Sequence, residues 1–423
     1  MASSSEAILT AFPIDAVRAR FPALAVTGDG RPRIYFDAPG GTQACAPAIA
    51  AMVAHLETGT ANSGGPFASS VATDALSDAA HLAMADLLGG DPGEIAFGPN
   101  MTSLTFAVSR ALAREWSAGD ELVVTRLDHD ANIAPWLEAA ADKGMTVRWL
   151  DFDPATGRLD LAALPGLLGP RTRLVAVGAA SNALGTANDI AAIAAIVRAH
   201  CDALVFVDAV QSVPHGPVDV VALGCDLLVC SSYKFFGPHQ GVLWGRAELL
   251  DQITAYKVRP ARTSPPASRF ETGTPSFEGQ AGVLGTIDYL DWLGGITGGE
   301  RSNDRRGRLR AAMTACAAYE ASLGERMLAG LAAIPGLKLH GPPTMAGRVP
   351  TFAFTLAGHA PDDVAAALAG HGIFVWAGDF YAVEAVARLG LAASGGLIRV
   401  GLAHYSTVAE VDFFLECLRG LAR

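Results

Sequence analysis

Lys234 stands in the stretch Ser231-Ser232-Tyr233-Lys234-Phe235-Phe236-Gly237-Pro238-His239-Gln240-Gly241, between the apolar runs 226–230 and 241–244. A buried ammonium loses hydration and needs a partner or a chemical use. Taken alone, this one reads as a strand-end lysine whose head reaches water. Other reactive residue types occupy matching places. Asp208-Ala209-Val210-Gln211 follows the apolar run 203–207, and Asp128-His129-Asp130 comes soon after 121–125. Ser181-Asn182-Ala183-Leu184-Gly185 lies just beyond 174–177, and Gly98-Pro99-Asn100-Met101-Thr102 follows 94–97. Each has an ordinary reading: Asp208 as a helix cap, His129 as a structural histidine, the Asn-Ala-Leu-Gly run as a turn. Together they supply an amine, a carboxylate, an aromatic ring, an amide and a turn opening a helix. The free amides of that turn, with the Thr102 hydroxyl, suit a phosphate.

The elements that carry these groups follow a pattern. Short β-rich runs at 94–97, 121–125, 147–150, 174–177, 203–207 and 226–230 alternate with helical runs at 102–116, 133–143 and 190–199. Such alternation predicts an α/β fold with a mostly parallel sheet and helices on both faces. Ligands of open parallel sheets sit at the carboxyl ends of the strands, so all the groups above fall on one edge. The pattern stops at 259–277, a Pro- and Ser-rich stretch of a length that is usually functional. Helices are expected at 281–293 and 305–331. The last hundred residues mix strands (351–356, 397–400) with helices (361–371, 408–421), as in a smaller α+β unit on which a helix at 14–20 would pack. No repeat or low-complexity segment interrupts the chain.

The totals narrow the function. The 423 residues are 51% hydrophobic and 17% charged, enough for a sizeable core, and the net charge is -11 without basic runs. That argues against nucleic acid or anionic membrane as partners. Six cysteines, none in a CxxC pair, fit reduced thiols better than a disulfide framework or a metal site. The N-terminus lacks the basic start and apolar core of a signal peptide. Apolar stretches are broken well before membrane-spanning length. A soluble cytoplasmic protein is expected.

One ligand has the ring, phosphate and aldehyde that this set of groups would serve: pyridoxal 5'-phosphate, held as a lysine Schiff base with an acidic partner for its ring nitrogen. The sequence also resembles the class V aminotransferase family of fold-type I pyridoxal-phosphate enzymes, and within it the group I cysteine desulfurases. The likeness runs from Tyr35-Phe36-Asp37-Ala38-Pro39-Gly40-Gly41-Thr42 through GDELVVTRLDHDANIAPW, SNALGTAN, VDAVQSVPHGPVDVVALGCDLLV and SSYKFFGP to RFETGTP and GLIRVGLAHYST. It implies a large cofactor-binding domain over 34–300 with a mainly parallel seven-stranded sheet. A small C-terminal α+β domain over 301–423 and an N-terminal segment, 1–33, packed on it complete the chain. It further implies a homodimer with the active site at the interface and an α-amino acid as substrate.

The resemblance also assigns roles. Lys234 would hold the cofactor and shuttle the α-proton. Asp208 would keep the ring nitrogen protonated, and His129 would stack on the ring. Asn182 and Gln211 would bond near its phenolic oxygen. Ser231, Thr102 and the Met101 amide would hold the phosphate. Tyr233 replaces the family's histidine before the lysine, with a hydroxyl still able to donate. Thr274 would reach the phosphate of the other subunit. Arg399 would grip the substrate carboxylate by a bidentate pair, with Gly40 and Gly41 beside the substrate.

One part of the pattern is missing. The desulfurases carry a persulfide-forming cysteine on a loop before the last strands, and the corresponding stretch here is Gly372-Ile373-Phe374-Val375-Trp376-Ala377-Gly378-Asp379-Phe380-Tyr381-Ala382. Tyr381 falls where the thiol would be, and a tyrosine cannot accept a sulfane sulfur. The expected chemistry is therefore β-elimination by a C–S lyase without a persulfide cysteine. Same-cofactor alternatives are an aminotransferase, an epimerase or a decarboxylating C–C bond-forming enzyme. An alternative of another class is a non-catalytic sulfur-assembly partner, against which the intact Lys234, Asp208 and Arg399 argue. Trp376, Phe380 and Tyr381 would give the pocket an aromatic wall, and Asp379 would repel a side-chain carboxylate or orient an amine. Loop packing explains these residues equally well.

Overall fold

Valine-, leucine- and alanine-rich runs form the main sheet because their side chains can be buried on both faces. A computed structural model describes residues 4–28, 30–298 and 304–422. Its main sheet has seven strands, in the spatial order Ile95–Gly98, Gly241–Gly245, Leu227–Ser231, Leu204–Asp208, Thr172–Gly178, Glu121–Thr125, Thr146–Leu150. Gly241–Gly245 is antiparallel to both its neighbours, and the other pairings are parallel. The fold class expected from the alternation is therefore the one observed.

Alternate strand residues serve two cores. Val123, Val175, Val205 and Leu228 belong to a cluster that runs on to Phe352, Phe354 and Phe414 near the C-terminus. Leu122, Val124, Ala176, Phe206 and Val229 face the other way, against Trp136 and Leu104.

The C-terminal region builds a second sheet, ordered Leu337–His340, Thr351–Leu356, Leu397–Gly401, Trp376–Gly378. The helices Arg305–Ala332, Pro361–Gly370 and Val408–Leu421 accompany it. The N-terminal helix Ile14–Arg18 joins this unit: Arg18 pairs with Glu410 at 3.0 Å and donates to the Tyr405 carbonyl. A boundary placed between residues 300 and 301 lies outside the described residues.

Two helices, Ala46–Glu57 and Ala68–Leu88, were not expected from the sequence. Both are alanine-rich, and alanine blurs the apolar stripe by which helices are recognised. The stretch 259–277 is also more ordered than an extended loop, with a 3-10 helix at Pro266–Phe270. The helix after it starts at Phe277, earlier than expected, because the Ser276 hydroxyl caps the Gly279 amide. That helix, Phe277–Thr297, crosses Ala46–Glu57 at close range. A Cβ on Gly285 would lie 2.4 Å from the Pro47 carbonyl oxygen. Among the described residues no helix is long and apolar enough to cross a membrane, and no group of side chains could hold a metal ion.

Gly285→Ala should destabilise the protein although alanine is the better helix former. The gain of about 1 kcal/mol in propensity is outweighed by a backbone displacement costing about 1–3 kcal/mol. Urea unfolding followed by circular dichroism measures the sign.

Candidate active site

The strand Leu227–Ser231 ends in a 3-10 turn, Ser232–Lys234, that turns Lys234 back into the protein. The turn is fixed at Phe236, whose φ is 75° and whose amide donates to the Thr42 hydroxyl at 2.8 Å. Lys234 is 8% exposed, and its Nζ donates to the Pro39 carbonyl at 2.5 Å. The chain has four lysines, Lys143, Lys234, Lys257 and Lys338, and only Lys234 is buried. Burial, then the positive Arg399, pulls its pKa down to about 7, while Asp208 and Asp37 oppose the shift. Near neutral pH the amine is thus partly unprotonated and able to act as a nucleophile or base.

Asp208 ends the neighbouring strand, its Oδ1 accepting the Val210 amide at 2.9 Å. Burial pushes its pKa up to about 6, against the pull of Lys234. A second carboxylate, Asp128, lines the same cavity. It accepts from the Gly178 amide at 2.9 Å and from Asn132 Nδ2 at 2.8 Å, and burial pushes it up to about 7. Sequence reasoning passed over Asp128 because its neighbour His129 drew the assignment. The Asp128–Asn132 spacing of four was the available signal. His129 is neutral: burial, then Lys234 and Arg399, depress its pKa to about 4, with Asp379 opposing. The Ala131 amide donates to Nδ1 at 3.0 Å, which leaves the ring proton on Nε2.

At the other end of the cavity the helix Met101–Leu112 begins, capped by Asn100 Oδ1 on the Ser103 amide at 2.8 Å. The Met101 amide donates to the Ser231 hydroxyl at 3.0 Å, so two expected phosphate ligands already touch, with Thr102 beside them in the cavity wall. Gly241 permits this approach, since a Cβ there would lie 2.4 Å from the Asn100 backbone. Tyr233 also lines the cavity, its ring stacked on His239 at 4.6 Å. Burial raises its pKa, so the phenol keeps its proton.

Arg399 enters from the C-terminal sheet, 4% exposed, its Nη1 donating to the Asn182 carbonyl at 2.9 Å. Burial pulls its pKa down to about 9, opposed by Asp37. The Phe380 ring covers the guanidinium at 4.2 Å. Arg399 Nε, Asp37 Oδ1 and Asn182 Oδ1 are buried without a hydrogen-bond partner, which marks polar capacity held for a ligand. Asp37, within the motif Tyr35–Thr42, has its pKa raised to about 6 by burial, while its own backbone amide, Arg399 and Lys234 pull down. Asn182 Nδ2 donates to the Phe380 carbonyl at 2.8 Å, and Gln211 Nε2 to the Pro39 carbonyl at 2.9 Å.

The remaining expected residues stand at the rim or apart. Gly40 lies under Trp376, where a Cβ would meet the indole Nε1 at 2.5 Å, and Gly41 lies against the Tyr233 ring. Trp376 is 53% exposed and Tyr381 70% exposed. Neither lines the cavity of Lys234. Thr274 does not line it within one chain, but sits in a separate cleft with Asp74 and Arg262. No cysteine lines the cavity either. Burial raises the thiols of Cys45, to about 11, and Cys225, to about 12.

The donor set fits pyridoxal 5'-phosphate. It offers a partly unprotonated amine for the aldehyde, a buried carboxylate for the ring nitrogen, an imidazole for the ring face, and a helix N-terminus with hydroxyls for the phosphate.

Comparison with known proteins agrees. A family model described as aminotransferase class-V matches residues 34–414. A cysteine desulfurase of Klebsiella pneumoniae is 34% identical over 97% of this chain and 99% of its own length. The apo structure of a cysteine desulfurase from Thermococcus onnurineus superposes with a TM-score of 0.86 at 26% identity, covering 97% of this chain and 98% of that one. A complex of the cystine C–S lyase C-DES with cysteine persulfide shares the fold, with a TM-score of 0.77 at 23% identity over 94% of this chain and 99% of that one.

An amine-acylating reagent should label Lys234 of the cofactor-free protein at a rate that rises through pH of about 7. Peptide mass spectrometry separates it from the other three lysines. Arg399→Gln should move the rise to higher pH, because a cation that disfavours the ammonium is gone. Asp208→Asn should move it lower. An unshifted rise in both variants would show that these charges do not set the amine's pKa.

Proposed function

The chain belongs to the aminotransferase class-V family and is a pyridoxal-phosphate enzyme, and on that premise we propose that it cleaves the C–S bond of a cysteine-type amino acid by β-elimination, without a persulfide intermediate on the protein. The carrying observation is a cavity that joins Lys234, Asp208 and His129 and includes no cysteine.

When bound, the cofactor supplies an electron sink for the carbanion formed at Cα. The rest is the work of this chain. Asp208, buried behind the cavity, favours a protonated ring nitrogen through its negative charge. Arg399 binds the substrate carboxylate; its unpartnered Nε and covered face leave a defined edge for the ion pair. Fixing the carboxylate orients the Cα–H bond toward Lys234, whose amine takes the proton. His129, with its proton on Nε2, stacks on the ring and excludes water from it. The amide of Met101, with Thr102 and Ser231, anchors the phosphate. Pyruvate and ammonia are the expected end products once the sulfur leaves.

The active form is a homodimer in this reading. Ile49, Val53 and Leu56 on the helix Ala46–Glu57, and Phe67 and Val71 at the start of Ala68–Leu88, are exposed apolar residues at helical spacing. A second copy that covered them would bring Thr274 to its partner's phosphate. Six free cysteines support a reducing, cytoplasmic setting. Neither nucleic acid nor membrane has a part in it.

Purified protein should be yellow, and Lys234→Ala should lose the long-wavelength band. A panel of amino acids assayed for pyruvate, sulfide, α-proton exchange and CO2 tests the reaction. Pyruvate from S-substituted cysteines is the expected result. Exchange without pyruvate would mean epimerisation, CO2 release decarboxylation, and a colourless protein that cannot be reconstituted would end the enzyme reading. Val53→Asp with Leu56→Asp should give monomers by sedimentation and weaken cofactor retention.

A further inference from the structure

We infer that Tyr381 is a positioning residue that acts through His129, holding the imidazole in place from its outer side, and that it does not form a wall of the substrate pocket. The inference rests on the reading of the Lys234 cavity as the cofactor site.

Tyr381 is 70% exposed, yet its ring is stacked on His129 with centroids 5.6 Å apart and planes 21° from parallel. His129 lines the cavity and Tyr381 does not. The imidazole therefore links the cavity wall to the phenol ring. An offset stack of this kind is a favourable aromatic arrangement.

The backbone is committed to that placement. Phe380 and Tyr381 have φ of 57° and 58°, consecutive left-handed conformations that bulky residues avoid. Three hydrogen bonds hold them there. The Asp130 amide donates to the Tyr381 carbonyl at 2.7 Å, Asn182 Nδ2 donates to the Phe380 carbonyl at 2.8 Å, and the Tyr381 amide donates to Asp379 Oδ1 at 2.9 Å. Asp130 is the residue next to His129, and Asn182 is part of the cavity wall. The segment thus grips the histidine loop twice, by ring and by carbonyl. Local strain that the surrounding structure enforces this fully is expected where placement matters. Only the ring is needed for the task, so the hydroxyl is dispensable. The same stack keeps water from the outer face of an imidazole that burial already holds neutral.

Tyr381→Phe keeps the ring. Tyr381→Asn removes it with a residue that accepts the left-handed backbone, so the loop is retained. The holoenzymes are compared by the induced circular dichroism of the bound cofactor, by its rate of loss on dilution, and by kcat and KM. Tyr381→Phe should match the wild type. Tyr381→Asn should alter the dichroism and release cofactor about three- to tenfold faster, with kcat reduced and KM little changed. Unaltered dichroism with only KM raised would overturn the inference in favour of a substrate wall. A Tyr381→Phe enzyme as impaired as Tyr381→Asn would overturn it in favour of a chemical use of the hydroxyl. A wild-type protein that takes up no cofactor would overturn the cavity reading itself, a result distinct from either.

Discussion

Two cations, Lys234 and Arg399, are buried within reach of each other's charge, and the site is organised around that constraint. Each ammonium or guanidinium that leaves water loses hydration worth several kcal/mol. Part is recovered from Asp208 and Asp37, which oppose the downward shift of Lys234. Part comes from carbonyls: Pro39 accepts from Lys234, and Asn182 from Arg399. Both groups hold their protons less tightly, but Arg399 drops only to about 9 and stays charged, while Lys234 falls to about 7. A residue type that ordinarily keeps its charge near neutral pH becomes one that can give it up. The stretch 35–42, the main sheet and the C-terminal sheet each contribute to this balance, through Asp37 and Pro39, Asp208, and Arg399.

Much of this was legible in the chain. The alternation of β-rich and helical runs identifies the sheet, and the rule that ligands gather at carboxyl ends turns scattered residues into one site. Lys234, Asp208, His129, Asn182, Gln211, Met101, Thr102, Ser231 and Tyr233 do line one cavity, or bond to a group that does. What escaped notice escaped for physical reasons. Asp37 is brought in by a bridge to Gly401 across the whole sequence, which no local pattern announces. Asp128 is internal to a loop whose neighbour looked more reactive. The helices Ala46–Glu57 and Ala68–Leu88 lean on alanine, a residue with helix propensity but little hydrophobic contrast. The role of Tyr381 depends on side-chain direction, which turns on two left-handed residues in an unremarkable string of letters.

In the proposed reaction, shared scaffold and altered chemistry meet at one segment. Relatives named for desulfuration align along nearly the full chain, and the strand-end residues that serve a cofactor need no change for a different bond to break. A reaction that ends on the substrate's own sulfur needs proton transfer at Cα and a carboxylate clamp. It has no use for a protein thiol, and the buried cysteines with raised pKa values are inert core residues.

The antiparallel strand Gly241–Gly245 has a mechanical consequence. Because it runs against Leu227–Ser231, the chain that leaves the sheet at Ser231 re-enters it at the same edge ten residues later, with Ser231 paired to Gly241. Both ends of the lysine's turn are clamped by one pair of strands, and the Ser232 amide is bonded to the Gln240 carbonyl besides. The amine therefore sits on a short closed arch that has little freedom to swing. Any opening that admits substrate has to come from parts of the site other than this arch.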